Sequence, residues 1–445
     1  MKVNMENIVL HTVLWFRKKS FFVVTNRTLK MVMPLAIIGS FFQFLWRSIF
    51  SPTSLISNIC YFENWLPDSI SKAIWYASQG LSTVIFNTMG LFMAYFAAQF
   101  TAKLYRKDSQ MAGLTGVLSL LLCSYRFHNP ASSNSQMTFN WSVLGINSLF
   151  FAIVIGYGVG MIFRFFGTNF RHESHENYRR IEKRAFASFK PLIISLIIGT
   201  IIGVAATLIG FEVGASNVYQ FFQNEGENNL NLWQYIVVVI LSLLLSWLGI
   251  SQPLVKLAPN NFSGTNIANL NYALKHGSSW NVPNKFVGNS FYQAYGGFGG
   301  SGLMLALLIA LLLVYKYQST TKVARWAFLP TLFGSNQGAL VGIPIFLNPL
   351  YLLPYVFFPI INMIIAAAVV AINWVPSSVY PFLTGTPGPL IAFIGTNGNW
   401  NALILSIILF LMDIALYIPV VKLAAKVEDE INRINEEERL GIAFK

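Results

Sequence analysis

Long apolar stretches of about 20 residues, the length a helix needs to cross a bilayer, fall near residues 31–50, 73–100, 141–165, 191–210, 232–250, 347–372 and 401–421. Shorter or more interrupted ones lie near 111–125, 301–315 and 327–346. The pattern predicts an all-α polytopic membrane protein of about ten membrane elements, with one membrane domain occupying residues 1–445.

One stretch departs from this pattern. Phe333 to Pro354 reads FGSNQGALVGIPIFLNPLYLLP and places three prolines, three glycines and two asparagines in an otherwise membrane-grade region. An ordinary spanning helix cannot carry so many breaks. Backbone groups freed at membrane depth survive only where protein covers them or a polar cavity receives them, and discontinuous helices of this kind build binding sites in many transporters. A packing kink or a surface loop between two helices fits the same residues.

Ahead of the first stretch, residues 1–30 are expected to form an interfacial amphipathic helix centred on Ile8 to Val24. Its apolar face, Val9, Leu10, Val13, Leu14 and Phe16, would lie among lipid headgroups while Arg17, Lys18 and Lys19 meet anionic lipid. These basic residues interrupt the apolar run and no small-residue cleavage site follows, so no cleavable signal peptide is expected. Loop charge sets the topology. Residues 51–71 and 211–231 contain acidic residues (Glu63, Asp68; Glu212, Glu225, Glu227) and no Lys or Arg, whereas 101–110 and 164–190 are rich in both. The positive-inside rule then gives a cytoplasmic N-terminus and six crossings to about residue 250. Residues 251–302, rich in Asn, Gly and Ser, fit a re-entrant hairpin, an amphipathic helix along the membrane or a plain loop. The tail 422–445 is expected to be a cytoplasmic helix. No fixed-period repeat is present.

Composition agrees. Hydrophobic residues make up 55% of the 445 and charged residues 11%, against about 25% charged in soluble domains, and mean hydropathy is +0.55. The net charge of +13 sits in short loops, which favours membrane topology over nucleic acid. Cys60 and Cys123 form no metal-like or disulfide pattern. The run HESHE at 172–176 lacks a third zinc ligand, and GGFGGSG near 296–302 lacks the Lys and Ser/Thr of a phosphate loop. His11 and His128 fall in the interfacial helix and an outer loop. No nucleophile, triad, metal site or cofactor motif appears, so no catalytic residue is expected.

What remains is uncharged polarity at membrane depth: Asn87, Asn336, Gln337 and Asn348, in a chain with 15% aromatic residues. Amides beside flat apolar rings suit a sugar, whose hydroxyls need fixed donors and acceptors while its C–H faces stack on aromatics. Amides that glue helices together and aromatics in interfacial belts explain many of the same residues.

At these residues the chain resembles the membrane subunit, enzyme IIC, of the lactose/cellobiose (diacetylchitobiose) branch of bacterial phosphotransferase systems. The resemblance covers most of the length. It is carried by MVMPLAIIGSFF (31–42), NTMGLFMAYFAAQFTAKLYRKD (87–108), GLTGVLSLLL (113–122), GGSGLMLALLIALLL (299–313), VGIPIFLNPLYLLPYVFFP (341–359) and ALYIPVVKLAAKVEDE (415–430), with Gly342, Pro344, Asn348, Pro349 and Pro354 the most specific part. It implies a homodimeric permease in the bacterial cell membrane, with residues 31–210 forming most of the dimer interface. Residues 232–421, including two re-entrant hairpins, would bind and carry a disaccharide. A cytoplasmic IIB partner bearing a phosphocysteine, fed by IIA and HPr, would phosphorylate the sugar.

The departures are specific. Where the family usually reads Asn-Ile-Asn-Glu-Pro, this chain has Gly334, Ser335, Asn336, Gln337 and Gly338, so an amide replaces the carboxylate. Where the family usually has a histidine after Gly-Ile, this chain has Ser251, and His276 is the candidate to stand in for it. The family's Trp-Thr-Thr-Pro is altered to FLTGTPGP at 382–389. Substrate-binding candidates are thus Gln337, Asn336, Ser251, Asn87, Asn348 and His276. Three readings follow: a working IIC subunit binding through neutral hydrogen bonds, a facilitator that moves a solute without phosphorylation, and a degenerate subunit that binds or senses. General-base help of about 10²- to 10⁴-fold is what an amide at 337 forgoes.

Overall fold

The structure, a computed structural model, describes residues 5–64, 66–126, 139–169, 178–208, 232–250, 264–286 and 289–439. Among them there is no strand; two isolated bridges, Ser54 with Thr384 and Tyr125 with Phe139, are the extended pairings. Among the described residues six helices are long and apolar enough to cross a membrane: Ser20–Ile49, Asp68–Leu104, Ile146–Phe166, Glu182–Leu208, Pro349–Ala371 and Trp400–Ile434. Three shorter apolar helices join them, Ser109–Ser124, Leu232–Leu248 and Ser301–Val314. The chain is thus the polytopic helical protein its apolar pattern predicts.

The first helices differ in their boundary. Lys19 adopts an extended backbone (φ −70°, ψ 137°) and separates Met5–Lys18 from Ser20–Phe44, so the first span begins well before residue 31. On Met5–Lys18, Val13 and Leu14 are buried against the rest of the protein instead of facing headgroups. Arg17 reaches Glu428 at 3.1 Å and Lys30 reaches the same carboxylate at 3.8 Å. This clamps the N-terminal helix to the C-terminal one, Trp400–Arg439, which continues without interruption into the expected tail as far as Arg439.

Basic side chains gather at one end of the molecule. Lys107 donates to the Gly167 carbonyl (2.7 Å) and Asn169 Oδ1 (2.8 Å), and Tyr317 donates to Asp429. Arg184 holds Asp108 with two bonds, Nε to Oδ2 at 2.6 Å and Nη2 to Oδ1 at 2.8 Å. The same carboxylate caps Ser109–Ser124 by accepting the Gln110 and Met111 N–H groups. Burial alone would raise the Asp108 carboxyl. Arg184 and the two N–H groups outweigh that and hold it below its ordinary value.

Deep in the second half, irregular backbone is buried. Asn289–Tyr295 leads into a glycine turn, and residues 291–308 are buried throughout. Of the three forms the sequence left open for 251–302, a buried hairpin fits residues 291–302; residues 251–263 lie outside the described residues. Gly300 and Gly302 take φ of +97° and +69°, and a Cβ at Gly302 would stand 2.1 Å from the Tyr355 ring. Only glycine fits there. Nearby, Asn362 donates to the Tyr295 carbonyl (3.1 Å) and to Asp413 (2.8 Å), tying three membrane elements together where both residues are fully buried.

Because the Asp108 carboxyl is depressed in the folded state, its stabilising contribution is present above the unfolded value near 3.9 and is lost as pH falls below it. Asp108→Asn is expected to destabilise the detergent-solubilised protein at pH 7 by about 1.5–3 kcal/mol, the range for bonds to charged groups. The gap between wild type and variant should narrow as thermal melts are taken from pH 7 down to pH 3.

Candidate functional site

The Phe333–Pro354 stretch does not span. After Gln318–Leu332 the chain turns at Gly334 (φ +85°), forms the six-residue helix Gln337–Gly342, passes Leu347 at φ +56° and restarts as Pro349–Ala371. Residues 338–343 are buried. Their backbone needs are met locally: Ser40 Oγ, from the first span, accepts the Gly338 N–H at 2.6 Å. The Leu347 N–H donates to the Trp247 carbonyl at 3.1 Å, and the Trp247 indole N–H donates to the Asn348 carbonyl at 3.2 Å. Covered in this way, a broken helix is tolerated within a bilayer.

Beside this helix lies a cavity of ≈ 220 Å³ lined by five elements, one of them the short 3₁₀ turn Ile146–Ser148 with Ile146 and Asn147. The first span contributes Gln43, Trp46 and Arg47; Asp68–Leu104 contributes Ser82, Phe86 and Asn87; Ser246 and Gly249 come from around the end of Leu232–Leu248; Gln337 and Phe346 come from the broken segment. The first span ends in a turn of π-helix, Leu45–Ile49, closed by the Phe50 N–H on the Leu45 carbonyl at 3.0 Å. Such local widening re-aims side chains and recurs at functional sites; here Trp46 and Arg47 lie on it. Gln43 Oε1, Trp46 Nε1 and Gln337 Oε1 are buried with no hydrogen-bond partner among the described residues. Buried groups of this kind each cost on the order of 1–3 kcal/mol unless something satisfies them, so the cavity presents hydrogen-bonding capacity to an occupant.

Two further hollows adjoin it. Arg47 also lines a ≈ 60 Å³ crevice between the glycine turn (Gly297, Gly299, Gly300) and the Phe382–Gly388 loop. Thr384 holds that loop against the π-helical turn, its Oγ1 donating to the Arg47 carbonyl at 3.1 Å. Phe346 is shared with a larger hollow of ≈ 630 Å³ at the basic end, lined by Arg17, Lys30, Leu104, Asn348 and Glu428 among others.

The site residues expected from sequence are distributed as follows. Gln337 and Asn87 meet in the ≈ 220 Å³ cavity. Asn336 is one residue away but fully buried; its side chain packs on Gly300, where a Cβ would stand 2.3 Å from Asn336 Nδ2, and neither of its polar atoms has a partner among the described residues. Asn348 acts as a helix cap: Oδ1 accepts the Leu350 N–H (3.2 Å) and Nδ2 donates to the Pro344 carbonyl (3.0 Å). It lies across Phe346 in the larger hollow. His276 is exposed at the end of Gly264–His276, stacked on Tyr272 at 4.0 Å between ring centroids. Ser251 lies outside the described residues. Sequence reasoning missed Arg47, Trp46 and Gln43, although an arginine inside an apolar run is itself a signal of a functional position.

A helical membrane protein whose broken segments wall a polar cavity is the class this architecture defines. The family described as Phosphotransferase system, EIIC matches residues 27–359, and the chain belongs to that family. Among curated relatives, the cellobiose-specific EIIC component of Lactococcus lactis subsp. lactis (strain IL1403) is 33% identical over 138 residues, covering 31% of this chain and 28% of that protein. The lactose-specific EIICB component of Lactococcus lactis subsp. lactis is 37% identical over 145 residues, covering 32% of this chain and 24% of that protein. These matches thus span about a quarter of each relative's length. A solved structure, the transporter IIC component from the N,N'-diacetylchitobiose-specific phosphotransferase system, overlaps with a TM-score of 0.44 at 20% identity, covering 98% of this chain and 99% of that one.

The Ser40–Gly338 bond makes the first span responsible for where Gln337 points. Ser40→Ala is expected to lower stability by about 1–3 kcal/mol through the unpaired Gly338 N–H, measured as a reduced melting temperature in detergent. Ser40→Thr, which keeps the hydroxyl, should lose less.

Proposed function

We propose that this protein is the membrane permease subunit of a sugar phosphotransferase system. It moves a disaccharide of the cellobiose, lactose or diacetylchitobiose class inward to a IIB partner, itself charged through IIA and HPr. The observation that carries this reading is the cavity beside Gln337, whose unpartnered amide and indole groups stand next to the Trp46 and Phe86 rings in a chain of the EIIC family. Amides and an indole N–H supply hydrogen bonds to sugar hydroxyls, and the rings supply faces for the C–H side of a pyranose.

The orientation we infer places the basic end, with Arg17, Lys30, Lys107 and Arg184, in the cytoplasm, and with it the N-terminus. The Phe50–Asp68 end then faces outward. Residues 31–210 form most of a homodimer interface and residues 232–421 carry the substrate, with 422–445 a cytoplasmic tail. Exposed apolar side chains on Glu182–Leu208, among them Ile193, Ile197 and Ile201, suit lipid or a second copy. Gln337, Asn87 and Gln43 hold the sugar; Asn336 borders it; Asn348 and His276 act away from the bound sugar, and Ser251 is a further candidate ligand from the sequence.

An amide at position 337 binds a hydroxyl without accepting its proton, so the rate of phosphorylation would rest on proximity to the incoming phosphocysteine. The same amide favours a second reading, a facilitator that releases free sugar. Cells carrying this protein with its partner proteins are to be fed labelled cellobiose, lactose and diacetylchitobiose. Phosphorylated label inside is expected, and label recovered only as free sugar would establish the facilitator instead. Gln337→Ala is expected to weaken disaccharide binding by about 1–3 kcal/mol, read by calorimetry on the purified protein. Unchanged affinity would remove Gln337 from the site.

A further inference from the structure

A fourth hollow, of ≈ 320 Å³, lies at the Phe50–Asp68 end of the molecule and is larger than the cavity beside Gln337. One wall is the turn that follows the first span, with Phe50 and Phe62; the other is the start of Asp68–Leu104, with Trp75 and Tyr76. The Phe50 and Phe62 rings lie nearly parallel, 24° apart with centroids separated by 6.0 Å, and Trp75 meets Tyr76 edge-on at 4.9 Å. Polar groups share the lining: the Ser57 and Ser71 hydroxyls, and the Lys72–Asp68 ion pair at 3.1 Å. The turn is tied down. Ser54 Oγ accepts the Ser57 N–H at 3.2 Å, Asn58 Nδ2 donates to the Pro52 carbonyl at 2.9 Å, and the Leu55 N–H reaches the Thr384 carbonyl at 3.0 Å. A wall fixed in this way has little ordering left to lose when a ligand binds.

Two indoles join this hollow to the ≈ 220 Å³ cavity. Trp46 lines the cavity and Trp75 the hollow, and their rings meet edge-to-face at 6.4 Å between centroids. Both Nε1 atoms are buried, and neither has a hydrogen-bond partner among the described residues. A buried indole N–H ordinarily finds an acceptor, so two donors remain unspent where the chambers meet. An acyl chain in the hollow would use its rings and leave the Trp75 N–H unsatisfied. A saccharide uses both, its C–H face resting on an aromatic ring while a hydroxyl oxygen accepts the N–H. No residue of Glu182–Leu208, the exposed face suited to a second copy, lines the hollow.

We propose, resting on the carbohydrate reading and the orientation above, that this hollow is a second saccharide site, an outer-face subsite that holds a neutral disaccharide next to the cavity. Trp75 and Tyr76 supply its platform and Trp75 Nε1 its buried donor. The Trp46–Trp75 contact sets the two sites side by side along the inward route.

The test uses the purified full-length protein in lipid nanodiscs, free of sugar-headed detergent, titrated with labelled cellobiose, lactose and diacetylchitobiose. Expected are two molecules of one of these sugars bound per chain. Gln337→Ala should weaken one and spare the other. Trp75→Phe, which removes the N–H and keeps an aromatic ring, should weaken the spared one about fivefold, the loss that one neutral hydrogen bond produces. Tyr76 is 65% exposed, so Tyr76→Ala probes the same site without burdening the fold; it should weaken that site as well, and Tyr76→Phe should not. One sugar per chain, weakened by Gln337→Ala and unmoved by Trp75→Phe and Tyr76→Ala, overturns the outer site and leaves the cavity reading standing. One sugar per chain with the opposite response supports the outer site and overturns the cavity as a sugar site. A second sugar unmoved by both hollow variants overturns the proposal, and binding of none of the three sugars overturns both readings.

Discussion

A main-chain N–H or C=O inside a bilayer has no water to turn to, and the second half of this protein is organised around that constraint. Between Asn289 and Pro349 the chain breaks its helices twice, at the glycine turn and around Gln337, and each break is covered by protein. Ser40 from the first span receives the Gly338 N–H, the Trp247 carbonyl receives the Leu347 N–H, and Tyr417 donates to the Gly302 carbonyl at 2.6 Å. Removing helical continuity without these contacts would leave several orphaned groups, each worth on the order of 1–3 kcal/mol. The cavity is a by-product of that arrangement. Two interrupted segments cannot pack as tightly as two straight helices, and polar side chains line the space left between them.

Much of the scaffold was legible from apolar patterning because hydrophobic length is a coarse and robust quantity. The stretches at 73–100, 141–165, 347–372 and 401–421 became spans with shifted ends. The broken character of 333–354 was equally readable, since prolines and glycines at that density are incompatible with a continuous helix. Boundaries were less so. Pro34 lies within Ser20–Phe44 without ending it, and the true break at Lys19 carries no Pro or Gly to mark it.

The site was legible in part, for a physical reason. Sequence separates polar from apolar positions but not which way an amide faces. Asn336 and Gln337 are adjacent and chemically alike. On a helix start they diverge, so one packs on Gly300 in the interior and the other reaches the cavity. Asn348 was marked as polar at depth, yet its side chain is spent on capping its own helix. Arg47 went unnoticed because it sits at the end of an apolar run, where a basic residue reads as an interfacial anchor. The π-helical turn that presents it to the interior has no sequence signature of its own.

Phe346 stands in the wall between the ≈ 220 Å³ cavity and the ≈ 630 Å³ hollow at the basic end. It is 5% exposed and precedes Leu347, whose left-handed backbone places a jointed stretch, not a rigid helix, under the ring. The ring is the side chain the two hollows have in common, so the bulk of the residue at position 346 bears on how far apart the two chambers are held.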